Sequence, residues 1–303
     1  MFSVLSRACC FIAIIILGYS LRRAGFFKDE DFHVLSKIVL KITLPAAIVS
    51  SFAGTEISLS MLTLSLVGLA GGVIYMAIFF FMNLKTSREK QAFEVLNSTG
   101  YNIGNFTLPF AQSFLGPTGV VVTSLFDTGN AIICLGGAYS ISSMILGGDE
   151  KFSVMKIAKK LFSSIPFDTY ILMVLLSLLH LNLPEPVVSF AGIVGNANAF
   201  MAMLMIGVGF KLTGDRSQLG CIVRILSVRY AVALALSLIC YFILPFPLEY
   251  RQALAFLVFS PIASAAPAFT AELKGDIGLA SAINSLSIII SIICIVSVLT
   301  IVL

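Results

Sequence analysis

Runs of about 20 apolar residues recur along the chain, each long enough to cross a hydrocarbon core roughly 30 Å thick. That feature decides the solvent. Of 303 residues, 58% are hydrophobic and 11% charged, whereas soluble domains are about half apolar and about a quarter charged. A chain of this size has no interior large enough to hide the surplus from water. Lipid is the expected surroundings, and the expected class is an all-α multi-pass membrane protein.

The apolar runs between charge and turn clusters predict ten helical spans, at roughly 3–21, 32–53, 58–83, 91–114, 117–146, 166–183, 186–210, 222–247, 250–273 and 277–303. The opening "VLSRACCFIAIIILGYSLRRAG" lacks an A-x-A cleavage pattern, and two arginines follow its apolar core, so it reads as a first span rather than a signal peptide. Basic residues sort by loop. Arg22, Arg23 and Lys28 follow span one; Lys85, Arg88 and Lys90 follow span three; Lys151, Lys156, Lys159 and Lys160 follow span five. Lys211, Arg216 and Arg224 follow span seven, and Lys274 follows span nine. The even-numbered loops hold only Arg251. The positive-inside rule then puts the odd loops in the cytoplasm and both termini outside. Arg7, Lys37, Lys41 and Arg229 fall within spans, where most can snorkel from near an end.

This topogenic use of the basic residues accounts for the formal charge of +4 and leaves no basic stripe for nucleic acid. The cysteines (Cys9, Cys10, Cys134, Cys221, Cys240, Cys294) lie in or beside apolar runs without a CxxC, as buried small hydrophobes do. Two distant histidines, no HExxH and no GxxxxGK[ST] speak against a metalloenzyme, a metal site or an ATP-driven pump.

"DEKFSVMKIAKKLFSSIP" reads as an amphipathic stretch on the inner membrane surface. It divides the chain into a first five-span half (1–146), a connector (147–165) and a second half (166–303). The halves resemble each other weakly: "KQAFEVL" at 90–96 enters span four, and "RQALAFL" enters span nine 161 residues on. Because five is odd, the second half is expected to be inverted, which makes Arg251 the outer counterpart of Lys90.

Span four contains "YNIGNFTLPFA", with Asn102, Gly104, Asn105, Thr107 and Pro109 inside an apolar run. Span nine contains "FSPIASAAPAF", in which Pro261 and Pro267 bracket small residues and Ser264. Proline removes a donor and disturbs the turn before it. An irregular backbone at membrane depth is tolerated only where protein or a water-lined cavity satisfies it. Paired interrupted spans in corresponding places of two halves point to a transporter's substrate site. Each break exposes a helix N-terminus with its unpaired N–H donors, which suits a carboxylate. The alternative is a pair of proline kinks in ordinary packed helices.

At this point the residues match a family. "YNIGNFTLPFA" followed by "LFDTGNA", "GYSLRRAGFFKDEDFHVLSKIVLKITLPAAI" and "MIGVGFKL" resemble the auxin efflux carrier family, which includes bacterial permeases and, more distantly, the plant PIN carriers. The resemblance implies ten helices in two inverted five-helix repeats (an NhaA-like or PIN-like fold) with crossing broken helices four and nine. Helices one, two, six and seven would form a scaffold, and helices 3–5 and 8–10 a transport domain that moves as an elevator. It also implies a homodimer through the scaffold and a bacterial inner membrane. In PIN carriers an asparagine seven residues before the crossover proline contacts the substrate carboxylate, and Asn102 has that position relative to Pro109. Asn105, Pro109, Pro261, Ser264 and Pro267 complete the candidate substrate site. The connector is far shorter than the regulatory loop of many PIN proteins, and span nine has no asparagine near its prolines. The substrate does not carry over: members have been linked to malonate, malate and auxin-like indole acids.

Asp127 falls near midplane in span five, with Asn130 one turn on. A carboxylate there costs about 2.5–3.5 kcal/mol on insertion scales unless protonated, paired or hydrated. It is either the carrier of a coupling proton or a structural group, capping freed N–H groups of the broken helix or pairing with Lys41. Lys41 itself either attracts an anion, pairs with Asp127 or snorkels. Pro45, Asn196 and Asn198 are candidates for the scaffold side of the cavity, the asparagines alternatively for interhelical hydrogen bonds. The expected function is a cofactor-free secondary carrier of a small organic anion. A sodium-coupled carrier of the bile-acid type and a membrane-embedded organic-acid sensor are the rivals. A sensor would carry an appended soluble domain, and no segment between Met1 and Leu303 reads as one. No nucleophile–base set marks an enzyme.

Overall fold

The computed structural model describes residues 2–147, 153–210 and 218–303, without the side chains at positions 2–4. Asp149, Glu150, Lys151, Phe152, Lys211 and Arg216, which entered the connector and loop-charge expectations, lie outside the described residues. All regular structure among the described residues is helical.

The first half begins with α1 (Phe2–Arg23) and α2 (Asp31–Ile38). A π-turn at Val39–Thr43 then leads into α3 (Leu44–Phe52). Pro45 explains the widening: it has no N–H to give, and its ring crowds the carbonyl of Lys41, four residues earlier. Then come α4 (Thr63–Met82), α5 (Arg88–Ser98), α6 (Leu108–Ile132) and α7 (Ala138–Ile145). Within α6, Gly116 has φ 59° and ψ −148° just before Pro117, so two helices meet there at a turn. The 58-residue run Arg88–Ile145 is therefore not one rod. Straight, it would extend about 87 Å at about 1.5 Å per residue, far beyond a bilayer core.

The second half holds α8 (Val154–Leu161), α9 (Ile165–Leu178), α10 (Glu185–Asn196) and α11 (Asn198–Gly209). It closes with α12 (Leu219–Phe242), α13 (Leu248–Leu257), α14 (Ala266–Glu272) and α15 (Ile277–Val302). α8 turns Ile157 and Leu161 inward and Lys156 and Lys159 outward, and it meets α9 at 83°. Among the described residues seven helical runs are long and apolar enough to cross a membrane, or eight if α8 and α9 count as one bent span. α13 and α14 are each too short to cross alone.

With apolar side chains offering no preference for protein over lipid, helix pairs are held by close backbone approach. A Cβ on Gly18 would lie 2.5 Å from the Leu204 carbonyl oxygen, and one on Gly207 2.1 Å from that of Ile15, so α1 and α11 touch backbone to backbone. Gly68 and Gly129 do the same for α4 and α6. The packing falls into two groups. In one, α1 and α2 pack on α11, and α3 on α9 and α10; in the other, α4–α7 pack together and α12, α13 and α14 gather around them and α15. The groups meet chiefly where α3 lies against α6.

Candidate functional site

α5 ends at Ser98, and Thr99–Asn102 run as non-helical backbone before a π-turn at Ile103–Thr107. Gly100 sits at φ +79°, where L side chains are strained, and a Cβ there would meet the Cys134 sulfur at 2.6 Å. The break lies upstream of Pro109, which occupies the first turn of α6 and widens the turn ahead of it as Pro45 does in α3. Freed backbone groups find side-chain partners. Asn130 Oδ1 accepts from the Tyr101 N–H (3.0 Å), and its Nδ2 donates to the Tyr101 carbonyl (2.9 Å). The Thr107 N–H and hydroxyl both donate to the Asn102 carbonyl.

The second break runs from the end of α13 at Leu257 to the start of α14 at Ala266. Pro261 lies within it, and Pro267 in the first turn of α14. Ser287 and Asn284, both on α15, satisfy it. The Ile262 N–H donates to Ser287 Oγ (3.2 Å), and Asn284 Nδ2 donates to the carbonyls of Ile262 (3.0 Å) and Ala263 (3.2 Å).

The two breaks touch. The Asn102 N–H donates to the Pro261 carbonyl at 2.9 Å, the hydroxyls of Thr107 and Ser260 lie 2.6 Å apart, and Asn105 Nδ2 donates to Ser264 Oγ at 3.3 Å. Beneath the junction Arg229, 1% exposed, donates to the carbonyls of Ser98, Gly100 (2.8 Å) and Ser260 (3.0 Å). Its guanidinium also lies over the rings of Tyr75 and Tyr101, 4.7 and 5.5 Å from their centroids.

Two cavities flank the junction, and Asn102, Asn105 and Ser264 line both. The smaller, about 130 Å³, adds Asp127, Asn130, Cys134 and, from the facing group, Leu44 and Tyr170. The larger, about 360 Å³, adds Ser281, Asn284 and Ser285, with Asp29 and His33 among its other walls. Among the described residues the Asn102 side-chain amide has no hydrogen-bond partner, and Asn105 Oδ1 is buried without one. The N–H donors of the Asn102 amide and the second N–H of Asn105 suit a carboxylate on the shared wall, whereas Asn105 Oδ1, an acceptor, suits a hydroxyl or water. Asp127 accepts from Asn130 Nδ2 (2.8 Å) and from the Tyr170 hydroxyl (3.1 Å).

Several sequence-derived candidates lie elsewhere. Lys41 is exposed, and among the described residues no ion pair joins it to Asp127. Leu40 and Leu44, not Lys41, face the smaller cavity, because Lys41 leaves the widened turn on another side. The capping expected of Asp127 is performed by Asn130, whose amide offers both a donor and an acceptor. Pro45 lines neither cavity. Asn196 is exposed at the end of α10, whereas Asn198 is buried and accepts from the Thr43 hydroxyl (3.0 Å), an interhelical bond. Arg229 does not snorkel. Asn284, Tyr170 and Arg229 emerge only in three dimensions. A polar residue repeating near the half-chain offset (Asn130 and Asn284) is the signal that would have found the first.

The family described as membrane transport protein matches residues 7–165, which include the first break and most of the smaller cavity. No curated protein matches the chain. The match covers more than half of the sequence, and the chain belongs to this family, that of the auxin efflux carriers, whose members are membrane transporters.

Proposed function

We propose that this transporter is a secondary carrier of small organic anions, whose carboxylate is held where broken helices four and nine cross. The observation that carries the reading is the direct joining of the two breaks, from Asn102 to Pro261 and from Asn105 to Ser264, with amide N–H donors of both asparagines left over among the described residues. The larger cavity is the better seat for an anion. It brings the hydroxyls of Ser281 and Ser285 to the shared wall, and its own carboxylate, Asp29, is offset by Arg22 at 3.9 Å, whereas the smaller one carries Asp127, which no basic side chain pairs among the described residues.

In this reading the chain has ten spans: the 58-residue run counts as spans four and five, α9 as six, and α13 with α14 as a broken nine. Two inverted repeats account for the paired clamps. Tyr101 and Ile262, the clamped residues, are 161 positions apart, as are Lys90 and Arg251. Their clamps Asn130 and Asn284 are 154 apart, close to the 153 that separates Ser36 from Ser189. The group containing α1, α2, α3 and α9–α11 is the scaffold, through which two copies associate as in the plant relatives. The other group is the transport domain, and it slides against the scaffold to expose the site to alternate sides. The Tyr170–Asp127 bond bridges the two groups and would break on each cycle. Both termini face outward from a bacterial inner membrane.

Uptake of labelled mono- and dicarboxylates into proteoliposomes tests this. Saturable uptake that persists when choline replaces sodium is expected. Uptake that vanishes without sodium would instead favour a sodium-coupled carrier of the bile-acid type.

A further inference from the structure

A guanidinium within the hydrocarbon region is costly, and such charges normally pair with a carboxylate or reach for the interface. Arg229 does neither. It is buried in the middle of α12, and among the described residues no carboxylate lies within ion-pair distance of it. Its partners are carbonyl oxygens of Ser98, Gly100 and Ser260, and the faces of Tyr75 and Tyr101.

Those carbonyls have a common origin. Ser98 is the last residue of α5, Gly100 lies two positions beyond it, and Ser260 three positions past the end of α13. A helix C-terminus carries about half a negative elementary charge on its unsatisfied carbonyls. Two converging ends therefore sum to about one negative charge, which a single guanidinium balances. Three carbonyls and two aromatic faces around one positive charge make the coordination shell of a monovalent cation.

We infer that Arg229 is a tethered cation: it permanently fills a carbonyl-lined monovalent-cation site that joins the two breaks. It is a positioning residue. Its charge holds the ends of both half-helices together, so that the Asn102–Pro261 junction forms, and it leaves no room at this point for a free coupling ion such as sodium. The inference rests on the geometry of the breaks and not on the identity of the cargo, so melting of the purified protein tests it without any substrate.

Arg229→Ala empties the shell. The variant is expected to melt well below wild type. Methylguanidinium at millimolar concentration should raise its Tm by about 3 °C or more, as a ligand of the folded state alone does, and choline at equal ionic strength should not. Wild type should respond to neither. If the Ala variant melts with wild type, or if methylguanidinium and choline act alike on it, the inference fails. Should that variant not fold, Arg229→Lys and Arg229→Gln decide. Lys keeps the charge and is expected to melt above Gln, which keeps only neutral donors; Gln equal to or above Lys would overturn the tethered-cation account.

Discussion

The side-chain amide of Asn130 holds both polar groups of a single residue, accepting from the Tyr101 N–H at 3.0 Å and donating to the Tyr101 carbonyl at 2.9 Å. A residue that has left its helix inside the packed bundle thereby finds a partner for each of its polar groups on one side chain from the helix beside it. Asn130→Leu keeps the volume, removes the acceptor of the N–H and leaves the carbonyl only the weak Cys134 thiol at 3.6 Å. Unpaired buried polar groups cost about 1–3 kcal/mol each, so a loss of about 2–5 kcal/mol is expected. Thermal melts in detergent measure it, and a variant within 1–2 °C of wild type would show that the clamp is dispensable.

Gly100 has the backbone conformation that disfavours any side chain and, in addition, no space for one, with Cys134 Sγ 2.6 Å from the place of a Cβ. Gly100→Ala should destabilise by about 1–3 kcal/mol. Adding Cys134→Gly relieves the contact but not the φ of +79°. The double variant should therefore recover only part of the loss. Full recovery in a melting series would mean that backbone strain plays no part.

In the middle of α5, Glu94 is fully buried and pairs with Arg224 at 2.9 Å, while Asn83 donates to the same carboxylate oxygen at 3.0 Å. Removing one partner of a buried ion pair costs more than replacing both by apolar groups of similar shape. Arg224→Met alone is expected to lower stability by about 2–4 kcal/mol, because a lone carboxylate stays behind. Combining it with Glu94→Leu should restore most of that. A double variant less stable than the single one would contradict this view of the pair.

Asp127 is held by two donors, one of them Tyr170 from the facing helix group, as a structural bridge would be. In the proposed carrier Asp127→Asn should change the rate of labelled carboxylate uptake while the shape of its pH profile stays that of wild type. A profile that flattens in the variant, with normal expression, would make Asp127 the carrier of a coupling proton.

Much of this could be read in the chain, for identifiable reasons. Proline inside an apolar run is a local signal, so Pro109 and Pro267 marked the interrupted spans, and Pro45 lies behind the widened turn in span two. In span nine the break contains Pro261 and ends at the turn that holds Pro267, as expected; in span four it lies at Thr99–Asn102, at least seven residues before Pro109, because where a helix stops depends on which neighbours can satisfy its last carbonyls. Arg229 shows the limit. From its position in an apolar run it looks like any snorkelling arginine, and only the rotation of α12 and the convergence of two helix ends 31 or more residues away reveal its partners. Asn284 escaped notice for a like reason, since the backbone that it clamps belongs to a different helix. Asn196 and Asn198 are two residues apart, and the break between α10 and α11 turns one outward and buries the other.

In the proposed carrier the joined breaks hold a carboxylate through the side-chain amide of Asn102. Purified wild type and Asn102→Ala should be melted side by side against a panel of mono- and dicarboxylates. At least one acid is predicted to raise the Tm of wild type in a saturable way and to lose most of that effect on the variant. An acid that stabilises both proteins equally would remove Asn102 from its site and contradict the account.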